Sequence, residues 1–171
     1  AALAQAVARN ELTIEYQPVF SAVTRRASAT EALVRWTHPT RGRIDPTTFV
    51  SVAEESGSIG RLGEFVLRTS LTDLRHWIDQ GLVGDDFTVH ANVSQVQLSS
   101  SSFIHQVQTI LRDRGVAASR LVLEASESAL VSSNVDVQRT VRALRRIGVR
   151  IAVDNFGTGA SALSVLTDVG A

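Results

Sequence analysis

Two hydrophobic periods take turns along this chain, and that alternation most limits what it can fold into. Leu12-Thr13-Ile14-Glu15-Tyr16-Gln17-Pro18-Val19-Phe20 alternates apolar and polar residues as a strand does, with Pro18 a disturbance in it. A turn over Ser21 to Arg26 leads to a second strand at 28–36, and Thr37 to Pro46, with Pro39, Gly42 and Pro46, reads as a polar loop. Helical and strand periods then follow one another: helices at 47–56 and 59–80, a strand at 87–94, mostly helix at 96–114, a strand at 120–124, a helix at 135–147, a strand at 149–154, and the start of a helix at 161–169. In the longest of these, Leu62, Phe65, Val66, Leu71, Leu74, Trp77 and Ile78 recur at threes and fours. Five strands, the last four separated by helices, predict a parallel sheet with helical crossovers, in which the first pair alone is antiparallel.

Composition narrows the class. The 171 residues suffice for one domain with a sizeable core. Residues 1–10 read as a helix that opens mid-element, with no cap before it. Seventeen basic and seventeen acidic residues cancel, so no basic field argues for a nucleic-acid polymer or a membrane surface as partner. All the basic residues are arginine, and the chain holds no lysine. No cysteine is present, which excludes disulfides and thiolate metal sites and fits a cytoplasmic setting, whether of this chain or of a larger protein. No apolar run approaches the ~18 residues of a membrane span.

Four strands carry an oxygen ligand in or at the end of an apolar run: Glu31, Asn92, Glu124 and Asp154. Asp154 closes Ile151-Ala152-Val153 and precedes Asn155 and the Gly157-Thr158-Gly159 turn. An Asp or Asn after a strand also caps the next helix, and one such residue would say no more than that. Four on successive parallel strands converge at one end of a sheet, where α/β folds keep their active sites. Carboxylate and amide oxygens suit hard cations such as Mg²⁺ or Mn²⁺. Elsewhere the polar residues read as structure. His38, His76, His90 and His105 lack metal-ligand spacing and read as surface or packing residues. Arg139, Arg142, Arg145 and Arg146 read as a solvated helix face, Asp45 and Pro46 as a helix start, and Ser99 to Ser102 as a surface entry into a helix.

These residues carry a resemblance. Glu31-Ala32-Leu33, within Glu-Ala-Leu-Val-Arg, resembles the signature of the EAL family of cyclic di-GMP phosphodiesterases. Tyr16-Gln17-Pro18, Phe49 with Ala53-Glu54, Asn92-Val93-Ser94, Leu123-Glu124-Ala125-Ser126-Glu127 and Asp154-Asn155-Phe156-Gly157-Thr158-Gly159 resemble further motifs of that family, in order along nearly the whole chain.

The resemblance implies a modified TIM (β/α)8 barrel whose first strand is antiparallel, here with about five of eight strands. Residues 1–171 would then be one partial EAL domain, with strands six to eight beyond Ala171 and a truncated start. It implies hydrolysis of cyclic di-GMP to linear pGpG by water attack at a two-metal site of Mg²⁺ or Mn²⁺, in signal transduction. Glu31, Asn92, Glu124 and Asp154 match the first metal's ligands, Glu31 and Asp154 being also the catalytic acids. Gln17, Leu33 and Arg35 match positions contacting the dinucleotide, and Glu127 reads as a supporting or cap residue. Expected partners are cyclic di-GMP, a second copy in a homodimer, and sensory or GGDEF domains in the same polypeptide.

The departures support an alternative, a degenerate module that senses cyclic di-GMP or binds a protein without turnover. Asn155 stands where the family has a second aspartate, a ligand of the second metal, and an amide brings no charge there. The family's later lysine and acids have no counterpart before Ala171, so the 171-residue piece alone is expected to be inactive.

Overall fold

The computed structural model describes residues 2–131 and 134–154. A short helix α1 (Ala2–Ala8) leads into a hairpin of β1 (Leu12–Phe20) and β2 (Ala27–His38), followed by β3 (Gly42–Ile44). Helices α2 (Pro46–Glu55) and α3 (Ile59–Asp79) then lead to β4 (Thr88–Asn92). Next come α4 (Gln95–Leu98), α5 (Phe103–Arg114), β5 (Leu121–Ser126), α6 (Glu127–Val131), α7 (Val135–Arg146) and β6 (Arg150–Asp154).

The strands form one sheet in the order β1-β2-β4-β5-β6, with β3 paired to β2. β1 pairs antiparallel with β2, and β2, β4, β5 and β6 are parallel to one another. Along the parallel part the order follows the sequence without reversal, as in a barrel, whereas a doubly wound sheet reverses at a switch point. Pro18 is tolerated because β1 lies at the edge of the described sheet and has no second ladder to satisfy.

One face of the sheet holds the core. Val89, Ala91, Leu121, Leu123 and Ala125 are buried there against Leu71 and Leu74 of α3, Val107 and Ile110 of α5, and Val137 and Leu144 of α7. A smaller cluster seats α2 on β2: Trp36 meets the ring of Phe49 edge to face, 5.8 Å between centroids, among Leu12, Ala53, Ile59 and Leu62. Helix starts follow local chemistry. Asp45 caps α2 by accepting from Thr48 N at 3.1 Å, with Pro46 in the first turn. Ser94 and Gln97 form a capping box that starts α4 directly after β4. Gln97 is buried over Gly63 of α3, where an added Cβ would collide with its amide.

Three readings of the sequence need correction. Residues 37–46 are not all loop: β2 runs on to His38 and turns back through Gly42, whose φ of 69° a glycine accepts, into β3. The described sheet therefore has six strands and not five. Residues 96–114 form two helices, separated by the serine run, with Ser99 closing α4 and Ser102 opening α5. The short helix α6 follows β5 where none was expected. The helix expected at 161–169 lies outside the described residues.

Candidate functional site

Strand alternation sorts the polar residues onto the face opposite the core. In the register of the sheet, Glu31 lies beside His90, Asn92 beside Glu124, and Ser126 beside Asp154. Side chains at every second residue share a face. Glu31, Leu33 and Arg35 on β2, His90 and Asn92 on β4, Glu124 and Ser126 on β5, and Asp154 on β6 therefore share this one. Gln17 of β1 is opposite Glu31, and Glu15 is opposite Leu33. Counted along the ladder, the four oxygen-bearing residues climb from Glu31 to Asp154. Strands tilted by about 36° with a shear of eight rise about one residue per strand, so such a staircase becomes nearly a level shelf across a barrel. The shelf lies at the C-terminal ends of β4, β5 and β6.

Two contacts tie these residues into pairs. Asn92 Nδ2 donates to Glu31 Oε1 at 2.7 Å, across the β2–β4 boundary. His90 Nδ1 donates to Glu124 Oε1 at 2.6 Å, with both side chains mostly covered. Among the described residues no three His, Asp or Glu side chains form a closed ion-binding cluster. The donor set itself, three carboxylates and one amide on a shared shelf, has the hard-oxygen chemistry of a Mg²⁺ or Mn²⁺ site.

A cleft of about 450 Å³ opens over the shelf. Leu33, Arg35, Asn92, Glu124 and Asp154 line it on the strand side, and Glu54 of α2 with Gly63 and Val66 of α3 line it opposite. Glu31 and Gln17 are not on its wall; Glu31 reaches it through Asn92, and Gln17 lies behind Glu31. Arg35 is held in place: Nε donates to Glu15 Oε2 at 2.7 Å and Nη1 to the Val34 carbonyl at 3.1 Å. Arg43 of β3 donates to both Glu15 oxygens, at 3.0 and 2.9 Å. Arg35 first, and then Arg43, hold the Glu15 carboxyl below the usual carboxylate range. On the core side, the Tyr16 hydroxyl donates to Asp73 of α3, and burial with that carboxylate pushes the Tyr16 pKa up. That bond fixes β1, and with it the opposite-facing Glu15 and Gln17, against the helix layer.

The expected residues thus divide. Leu33, Arg35, Asn92, Glu124 and Asp154 come together on one wall, and Glu31 joins them through one hydrogen bond. Glu127 is buried in the first turn of α6. Asn155 lies outside the described residues. His90, read as a surface or packing residue, is mostly covered and bonded to Glu124. Its signal was available: two residues before Asn92, it must share that face. Glu15 was missed in the same way, two residues before Gln17.

The family profile described as the EAL domain matches residues 1–171. The chain belongs to the EAL domain family. The probable cyclic di-GMP phosphodiesterase PdeI of Escherichia coli K12 is 37% identical over 153 residues, covering 90% of this chain and 20% of that protein. The PaMucR phosphodiesterase, solved as a c-di-GMP complex, superposes with a TM-score of 0.91 at 34% identity, over 99% of this chain and 68% of that one. The EAL enzyme Bd1971, in a form with cAMP and cyclic-di-GMP bound, gives 0.88 at 27% identity, over 98% and 46%. The fold is therefore the barrel type of these EAL structures, present in part. The chain spans about a fifth of the length of the curated relatives it matches. Among the described residues no helix is long and apolar enough to cross a membrane.

Proposed function

We propose that this EAL domain serves to hydrolyse cyclic di-GMP to linear pGpG. The observation that supports it most is the single cleft wall on which Arg35 and Leu33 stand beside Asn92, Glu124 and Asp154. Its volume suits a small ligand. Glu31, Asn92, Glu124 and Asp154 would hold a Mg²⁺ or Mn²⁺ ion. When bound, such an ion supplies Lewis acidity and lowers the pKa of a coordinated water. The remaining work falls to the chain. Arg35 offers a pre-aimed guanidinium to a phosphate, Nη2 having no protein partner among the described residues. Leu33 offers an apolar surface beside it, and Gln17 an amide for a polar edge of the dinucleotide. Asn92 fixes one oxygen of Glu31, and His90 one oxygen of Glu124, leaving the other oxygen of each acid for the ion.

A second reading, binding without turnover, is favoured by Asn155, which brings no charge to a position where the family carries a carboxylate. Incubating the full-length protein with cyclic di-GMP and Mn²⁺, and following pGpG by chromatography, separates the two. The first reading expects pGpG, and a loss of about a thousandfold or more in rate for Glu31→Ala. Tight binding with no pGpG supports the second reading. Neither binding nor product would contradict both.

A further inference from the structure

Glu15 has no role in the reading above, yet it is heavily bonded beside the cleft. Three hydrogen bonds reach it from two arginines on two strands, Arg35 of β2 and Arg43 of β3. Its side chain is half exposed, and that of Arg43 is 60% exposed, while that of Arg35 is 19% exposed and faces the cleft. Ion pairs this open to water add little to stability. The construction is nonetheless specific. β1 places Glu15 one pair along from Arg35, because Thr13 lies opposite Arg35 and Glu15 opposite Leu33. β3 places Arg43 opposite Thr37, two residues beyond Arg35 on β2. Glu15 takes Nε of Arg35 and the Val34 carbonyl takes Nη1, so the guanidinium plane is fixed from two sides and Nη2 is left over. Arg43 braces the carboxylate that does the fixing and offsets its charge, so the group of three keeps one net positive charge.

We propose that Glu15, braced by Arg43, is a positioning residue that pre-aims Arg35 at a phosphate of a dinucleotide in the cleft. This rests on the reading of the cleft as the cyclic di-GMP site. A free arginine must be ordered by its ligand, and an ordered one is not, so Glu15 acts by removing that cost. The sign of its effect is diagnostic. If Glu15 contributed only its charge, removing it would favour an anionic ligand. If it positions Arg35, removing it weakens binding although a negative charge has gone.

The test is calorimetric binding of cyclic di-GMP to the full-length protein in EDTA, for the parent, Arg35→Ala, Glu15→Ala and Glu15→Gln. Glu15 is exposed, and a thermal melt of each variant checks that folding is kept. Glu15→Ala should weaken binding about three- to tenfold, the ordering cost of one long side chain. Glu15→Gln keeps an accepting oxygen for Arg35 Nε and should stay within about twofold of the parent. Arg35→Ala should lose more than either. If Arg35→Ala weakens binding while Glu15→Ala leaves it unchanged or tightens it, the positioning role is overturned and the cleft reading stands. If Arg35→Ala also has no effect, the dinucleotide does not lie against Arg35, and the cleft reading and the positioning role fall together.

Discussion

Leu123 and Glu124 are neighbours on β5 and look in opposite directions. Leu123 is 1% exposed among the side chains of the helix layer, whereas Glu124 lies on the cleft wall bonded to His90. The same contrast runs through the parallel strands. Their core-facing residues are mostly apolar, among them Ala32, Val89, Ala91, Leu121, Ala125 and Ile151, with Thr30 the buried polar exception, and the opposite face carries Glu31, Arg35, His90, Asn92 and Asp154. One backbone therefore carries a face that stabilises the fold and a face that concentrates carboxylates at a cost to it, a division expected where binding is traded against stability.

The largest effect separates the faces outright. Leu123→Ala should cost about 2–5 kcal/mol in denaturant unfolding, because it leaves a cavity the helix layer cannot fill. Glu124→Gln, one residue on, should change stability by about 1 kcal/mol or less. Equal losses for the two would erase the distinction.

How much of this could be read from the sequence follows from the same alternation. The long elements were legible because their periods are sustained, as in α3 with apolar residues at threes and fours. β3 was not, because three residues make no period and Gly42 was indistinguishable from any loop glycine. The acids Glu31, Glu124 and Asp154 stood out because a charge inside an apolar run is conspicuous. His90 and Glu15 did not, because a polar residue on an alternating strand looks like a solvent-facing one until the partners across the sheet are known.

Gly63 tests a place where the faces meet, since it is buried against Gln97 and also lines the cleft. Gly63→Ala should cost about 1–3 kcal/mol, as Gln97 is pushed out of the box that starts α4. A melt unchanged from the parent would show that Gln97 yields freely.

Asn155→Asp probes the proposed chemistry rather than the packing. It should raise the rate of pGpG formation at saturating Mn²⁺ by about tenfold or more, by restoring a carboxylate for a second ion. An unchanged or lower rate would mean that Asn155 is not a weakened ligand.

The smallest effect lies at Tyr16, on the core side. Its pKa is raised on folding, so its contribution is whole below the unfolded value near 10 and is lost as pH rises from there. Stability should therefore fall with pH above about 10, and Tyr16→Phe should flatten that limb while costing about 1–2 kcal/mol at neutral pH. An alkaline limb identical in the variant would place its origin elsewhere.

The proposed function puts ion and dinucleotide on the cleft face and not on the core face. The rise in melting temperature on adding Mn²⁺ and cyclic di-GMP to the full-length protein tests it most directly, since a ligand of the folded state raises the melt by mass action. Leu123→Ala should melt lower yet keep the ligand-induced rise, while Glu124→Gln should melt near the parent and lose most of it. A full rise in Glu124→Gln, or its loss in Leu123→Ala with folding retained, would contradict the claim.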